Sequence, residues 1–392
     1  MAATGTVSGV YRRSLGLFEL VALGIGGTVG SGIFVVPGLA AAVAGSSSIW
    51  IWVLVAFSAT CTLLCLRWTT SRFPGTGAFY SIFRPLFGKK AATILVIVYL
   101  ISTIFGISTI AAGLGQYLFY LGLSHLLIVE VLLITCFCML NIRGIYLSGI
   151  TENILTVLKI IPLFIITILL IPRISPSNLL PFPSLGPRTF IQGILLIYWP
   201  FTGFEISAIP ADEIADKRMI GRSLVIVMAI VIGLYLSLNL SLLGALGSTV
   251  LAQSPAPLAT AAELLLPMGG TFVAMIGVIA MISALNAYLV GGSRVLQNLA
   301  EEHAVSPLRS LNHRGAPQIA LIICSVFSAG LLLVSNHFGE LAAISVITTL
   351  IPYLFIGAAA FLLFPYKRFR IVSFFSVGMT AVILMLSLIP LS

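Results

Sequence analysis

Three patterns place groups capable of chemistry inside otherwise apolar sequence. Lys159 stands among Leu158, Ile160 and Ile161. Glu205 closes the run Tyr198-Trp199-Pro200-Phe201-Thr202-Gly203-Phe204-Glu205. Gly30-Ser31-Gly32 follows Gly24, Gly26 and Gly27 and precedes Pro37. A lysine in hydrocarbon costs about 2.5 to 3.5 kcal/mol on insertion scales, so it needs a partner or a task. A Gly-Ser-Gly stretch that unwinds frees N–H groups for an anion, because glycine lets a ligand approach the backbone with no Cβ in the way. Pro200 lacks an N–H and crowds the carbonyl of Leu196, so a helix through it breaks and releases carbonyls for a cation.

The elements that carry these groups are membrane-spanning helices. Of 392 residues, 59% are hydrophobic and 8% charged, with a mean hydropathy of +1.16; a soluble domain carries about 25% charged residues. A soluble protein is excluded. Apolar runs at 15–44, 48–66, 91–121, 126–140, 150–171, 190–209, 223–246, 271–299, 319–334, 341–364 and 371–389 read as eleven spans. The fourth and ninth are short for a core of about 30 Å, and the first, third and eighth are long enough to tilt. Ala42-Val43-Ala44 resembles a signal-peptidase site, but the apolar run before it is too long for a signal-peptide core, and the first span is expected to stay.

The net charge of +9 reports orientation. With the N-terminus in the cytoplasm, 17 of the 20 basic residues fall inside; Arg173 and Arg188 fall outside, and Lys159 lies within a span. The excess charge therefore speaks against nucleic-acid binding, and an odd number of spans puts the C-terminus outside. Cys61, Cys65, Cys136, Cys138 and Cys324 lie in apolar runs without ligand-spaced neighbours, as buried hydrophobes would.

The interrupted spans are the first and the sixth. They stand five positions apart in the order of spans, so two five-span halves at 15–171 and 190–364 would be inverted repeats, with 371–389 as an additional span. The connections PGTGAFYSIFRPLFG and SPAPLATAAELLLPMG both read as short helices in corresponding positions.

GTVGSGIFVVP in the first span, FPGTGAFY after the second, NIRGIYLSGITENILTVLK into the fifth, YWPFTGFE in the sixth and the SR...AEE...SP...N.RGAP run after the eighth resemble the amino acid-polyamine-organocation (APC) transporters over about residues 14 to 365. The resemblance implies an all-α integral membrane protein with a five-plus-five inverted repeat, the leucine-transporter-like fold, and discontinuous helices 1 and 6. Its shortness is similar to a bacterial branch that includes exporters of methionine and branched-chain amino acids. The resemblance further implies a multi-pass cell-membrane protein, bacterial inner membrane included, whose partners are an amino acid, protons and the bilayer, with no cofactor and no metal. A homo-oligomer or a small membrane partner stays open.

By the same resemblance, Ser31 and Gly32 take the substrate carboxylate, and carbonyls of Thr28, Trp199 and Thr202 take the ammonium. Gly30, Pro200 and Gly203 make the breaks, and Trp199 and Phe201 wall the pocket. Trp199 is a gate or core packing; at about 13 Å past Phe190 it is too deep for an interfacial belt. Glu205 matches a position of pH-dependent gating or structural bonding. Lys159, also about 13 Å into its span, carries the coupling proton or tethers the first span. No charged side chain from the eighth or tenth span reaches the pocket, which favours a neutral, aliphatic substrate.

Other polar residues read as less specific. Glu19, Glu130 and Glu152 sit near span ends and are expected to be solvated, and Asn286 and Tyr288 line the eighth span without an assigned role. Asp212, Glu213, Asp216, Glu301 and Glu302 form cytoplasmic clusters, as solvated faces or an inner gate. An intramembrane enzyme would need a nucleophile with a base or a ligand cluster, yet His125, His303, His313 and His337 all fall in connections. An uncoupled facilitator or a sensor subunit on the same fold is the alternative to a coupled transporter.

Overall fold

The computed structural model describes residues 16–73, 79–144, 149–208, 216 and 218–388, without the side chains of 149–152, 207 and 208. Arg12, Arg13, Pro74, Gly75, Asp212, Glu213, Lys217 and the C-terminal Ser392, together with the side chain of Glu152, lie outside what is described. The described residues contain helices and no strand.

The first apolar run becomes two helices, α1 (Leu17–Thr28) and α2 (Ser31–Ala44). Between them Val29 and Gly30 leave helical geometry, with Gly30 at φ −140° and ψ −140°. Glu19 caps the start of α1 by accepting from the Gly16 N–H at 3.1 Å. α3 (Ser48–Arg72) follows, then α4 (Phe79–Tyr120). The sequence separates a short helix from the third span here, whereas α4 runs through both and bends at Gly88, where φ is +82°. Glycine tolerates that angle, and the bend separates the short stretch before it from the long apolar stretch after it.

α5 (Leu126–Ile142) and α6 (Gly149–Leu170) follow, and then a four-residue α7 (Pro176–Leu179). The sixth run begins as α8 (Pro187–Tyr198) and then loses α-helical form. One 3₁₀ turn covers Trp199–Phe201, Gly203 takes φ +93°, and a second 3₁₀ stretch covers Phe204–Ala208. The Leu196 carbonyl, which Pro200 cannot serve, accepts instead from the Trp199 N–H. α9 (Arg218–Gln253) bends at Gly247, and α10 (Pro257–Glu263), α11 (Gly269–Glu302), α12 (Gln318–Val334), α13 (Phe338–Leu363) and α14 (Lys367–Leu388) follow.

Seven helical stretches among the described residues are long and apolar enough to cross a membrane, the first of them comprising α1 to α3. α5 and α12 are apolar but shorter. α1 packs against α6, α9, α11 and the second 3₁₀ stretch, while α4 lies along α11 and α13. The broken helices are thus enclosed by continuous ones. α14 buries Ser373, Ser376 and Thr380 and presents Phe374 outward.

Two expectations need correction. Glu130 is not solvated: it is 3% exposed, packed against Gly115 of α4, and its Oε2 has no hydrogen-bond partner. Its position near a helix end suggested water, but the α4–α5 contact covers that end. Cys136 is exposed on the side of α5, unlike the other four cysteines.

Candidate functional site where the broken helices meet

The two interruptions touch. A Cβ placed on Gly203 would lie 2.5 Å from the Gly27 carbonyl oxygen, and one on Gly27 would lie 2.9 Å from the Gly203 carbonyl oxygen. Gly32 lies against Pro200 so closely that a Cβ would come within 2.6 Å of the proline Cα. Small residues are therefore demanded by the contact between the broken segments, as well as by any ligand.

A cavity of about 10 Å³ opens at this junction, room for about one water. Its walls include Gly30, Ser31 and Gly32 on one side, Trp199 and Thr202 on another, and Tyr288 across from them. Ser31 and Gly32 begin α2, where the first N–H groups of a helix have no carbonyl to pair with. The Trp199 indole N–H donates to Ser31 Oγ at 3.3 Å, closing the gap between the broken helices. Its ring leans on Tyr288, with centroids 5.9 Å apart. Gly106 of α4 leaves room for both rings, since a Cβ there would meet Tyr288 at 2.7 Å and Trp199 at 3.3 Å.

The carbonyls at the breaks are already engaged. Thr28 O accepts from the Tyr235 hydroxyl at 2.9 Å. Trp199 O accepts from the Thr202 N–H at 3.0 Å and the Thr202 hydroxyl at 2.8 Å. The same Thr202 hydroxyl lies 3.4 Å from that of Tyr288. Thr28 O also accepts from the Gly30 N–H at 3.2 Å, so with two lone pairs per carbonyl both Thr28 and Trp199 have theirs in use.

Phe201 does not wall the cavity. The 3₁₀ turn directs its ring to the opposite side, 5.8 Å from the Trp52 ring and 5.4 Å from that of Tyr235. Ile110 of α4 and Ala284 of α11 supply apolar surface there instead.

Lys159 is 0% exposed and reaches from α6 toward the first break. Its ammonium donates to the Gly26 carbonyl at 3.3 Å and to Ser283 Oγ of α11 at 3.2 Å. Glu205 is 2% exposed at the far side of the second break. Its carboxylate accepts from Tyr99 at 3.1 Å, from Tyr353 at 2.7 Å and from the Gly203 N–H at 3.0 Å. The cluster ties the broken segment to α4 and α13.

Sequence reasoning missed Tyr99, Tyr235, Tyr353 and Ser283. A buried tyrosine hydroxyl in hydrocarbon usually finds an acceptor, which was the available signal, but the partner of each lies on another helix.

Interrupted helices meeting at a buried cavity in a membrane-spanning bundle define a transporter of the leucine-transporter-like fold. A solved structure of MhsT in complex with L-phenylalanine superposes with a TM-score of 0.72, covering 96% of this chain and 99% of that one at 12% identity. The chain belongs to the amino acid permease family, whose model matches residues 15–392. Among its relatives, the inner membrane transport protein YbaT of Escherichia coli K12 is 26% identical, with 89% of this chain and 83% of YbaT covered. The L-methionine/branched-chain amino acid exporter YjeH of the same organism is also 26% identical, over 79% of this chain and 75% of YjeH. The protein is a multi-pass membrane transporter of amino acids and not an enzyme.

Proposed function

We propose that this permease is a secondary transporter of neutral, aliphatic amino acids, coupled to protons through Lys159 and working by alternating access around the two breaks. The observation that carries the coupling is the pair of contacts from the buried Lys159 ammonium to Gly26 O and Ser283 Oγ. They join α6, the broken first helix and α11, so a change in the charge of this one amine acts on the arrangement of the break. The same two contacts also suit a permanently charged tether, and transport under a pH gradient separates the two.

In this reading the N–H groups of Ser31 and Gly32 hold the substrate carboxylate, aided by the positive end of α2. The Thr202 carbonyl takes the ammonium, and Thr28 O and Trp199 O join when the donors that now occupy them, Gly30 N–H and Tyr235 on one and Thr202 on the other, give way. Trp199 is the gate. Because the cavity has about one water's room, an amino acid enters only when Trp199 and Tyr288 swing aside. Ile110 and Ala284, with no charged side chain in the lining, suit an aliphatic side chain, and the substrates in YjeH's name support the same class.

We further read residues 15–171 and 190–364 as the inverted halves, residues 371–389 as an eleventh span, and the N-terminus as cytoplasmic. Glu205, held by three donors, serves as the fastening of the second break. The test is uptake of radiolabelled leucine, methionine, lysine and glutamate into proteoliposomes, with and without an imposed pH gradient. Leucine or methionine should accumulate in response to the gradient; accumulation of lysine alone would remove the substrate reading.

A further inference from the structure

The turn joining α13 to α14, far along the chain from the breaks, gathers cations and aromatic rings at one edge of the bundle. Lys367, Arg368 and Arg370 fall within four residues and are all exposed. The Arg368 guanidinium lies 4.7 Å from the centre of the Phe369 ring, and that of Arg370 lies 5.3 Å from the Phe361 ring on α13. Behind them Phe369 packs edge-on against Trp68 of α3, with centroids 4.6 Å apart, and against Phe364 at 5.4 Å. Among the described residues no carboxylate lies within 4.0 Å of these three cations; the ion pair found there joins Arg84 to Glu302.

A guanidinium stacked on a ring is held in place while its N–H edges stay available, and that planar fork matches phosphate oxygens. Trp and Tyr settle at the level of lipid headgroups, and Trp68 and the exposed Tyr366 both pack on Phe369 here. Directly beyond the cations the surface turns apolar, with Leu362 63% and Phe374 67% exposed. A free phosphate would satisfy only the cations, and an acidic protein would leave the apolar band unexplained. A phosphodiester carrying acyl chains meets both. We propose that the α13–α14 turn is a headgroup site for an anionic phospholipid, with Arg368 and Arg370 on the phosphate and Lys367 adding to the positive field. The lipid would help hold α14, whose own polar contact with the bundle includes the Ser376 hydroxyl 3.1 Å from that of Thr62.

The test is thermal unfolding of the full chain in a non-ionic detergent with added phosphatidylglycerol, phosphatidylcholine or inorganic phosphate. Phosphatidylglycerol should raise the midpoint by at least about 3 °C over phosphatidylcholine, and inorganic phosphate should not. Arg368→Gln with Arg370→Gln should lose at least half of that rise, while Arg84→Gln keeps it. Equal midpoints in the two lipids, an equal rise with inorganic phosphate, or an undiminished rise in the double variant would overturn the proposal. Should the double variant not fold, salt titration of the wild-type rise decides: it should shrink between about 50 and 500 mM salt, and a rise indifferent to salt would also overturn the site.

Discussion

Gly27 and Gly203 meet backbone to backbone, each leaving no space for a Cβ beside the other's carbonyl oxygen. Gly203 is doubly constrained because its φ of +93° is one that a side chain disfavours. Gly203→Ala should therefore cost about 1 to 2 kcal/mol from the angle alone, with more from the contact. The expected outcome is a lower unfolding midpoint and loss of transport in the purified protein, whereas Gly233→Ala, with open space around its Cβ position, should leave both nearly unchanged.

Trp199 is best tested by removing its hydrogen bond and keeping a ring. Trp199→Phe loses the donor to Ser31, worth about 1 kcal/mol, and part of the contact with Tyr288, worth about 0.5 to 1.5 kcal/mol. Both contacts hold the cavity shut and must break before an amino acid enters, so substrate affinity should rise about tenfold by equilibrium binding in detergent, with folding retained. Unchanged affinity would show that the cavity at the breaks is not the substrate site. Gly32→Leu is a poor probe of the carboxylate position, since any side chain there drives into Pro200.

Glu205 gathers Tyr99, Tyr353 and the Gly203 N–H. Hydrogen bonds to charged groups are worth about 1.5 to 3 kcal/mol, so Tyr353→Phe, which removes the shortest of the three, should lower stability by roughly that amount. Tyr99→Phe should cost less. Chemical denaturation of both variants in the same detergent gives the comparison, and a Tyr353→Phe variant as stable as the parent would end the fastening role of Glu205.

What could be read from the sequence was local chemistry. Gly30-Ser31-Gly32 and Pro200 announce their breaks because helix propensity and a missing N–H act within a few residues. The tyrosine partners of Glu205 lie 106 and 148 positions away, and no periodicity links them. Lys159 was legible as an anomaly in an apolar run, but Ser283 as its partner needed the packing of α6 on α11. Phe201 misled because a 3₁₀ turn rotates successive side chains differently from an α-helix. Glu130 misled because nearness to a helix end was equated with water.

The orientation rests on charge alone and has its own check. Glu263 and Glu302 flank opposite ends of α11, a helix of 34 residues, about 51 Å long. With Cys136 replaced, a cysteine at position 263 should react with a membrane-impermeant maleimide from outside intact cells, and one at 302 only after permeabilisation. The reverse pattern would invert the topology.

The most direct measurement of the central claim is transport by Lys159→Ala in proteoliposomes. Removing the amine frees Gly26 O and Ser283 Oγ from its charge while leaving the cavity lining untouched. The account predicts that substrate exchange persists and that accumulation no longer responds to an imposed pH gradient. Gradient-driven accumulation at the wild-type level in that variant would contradict it.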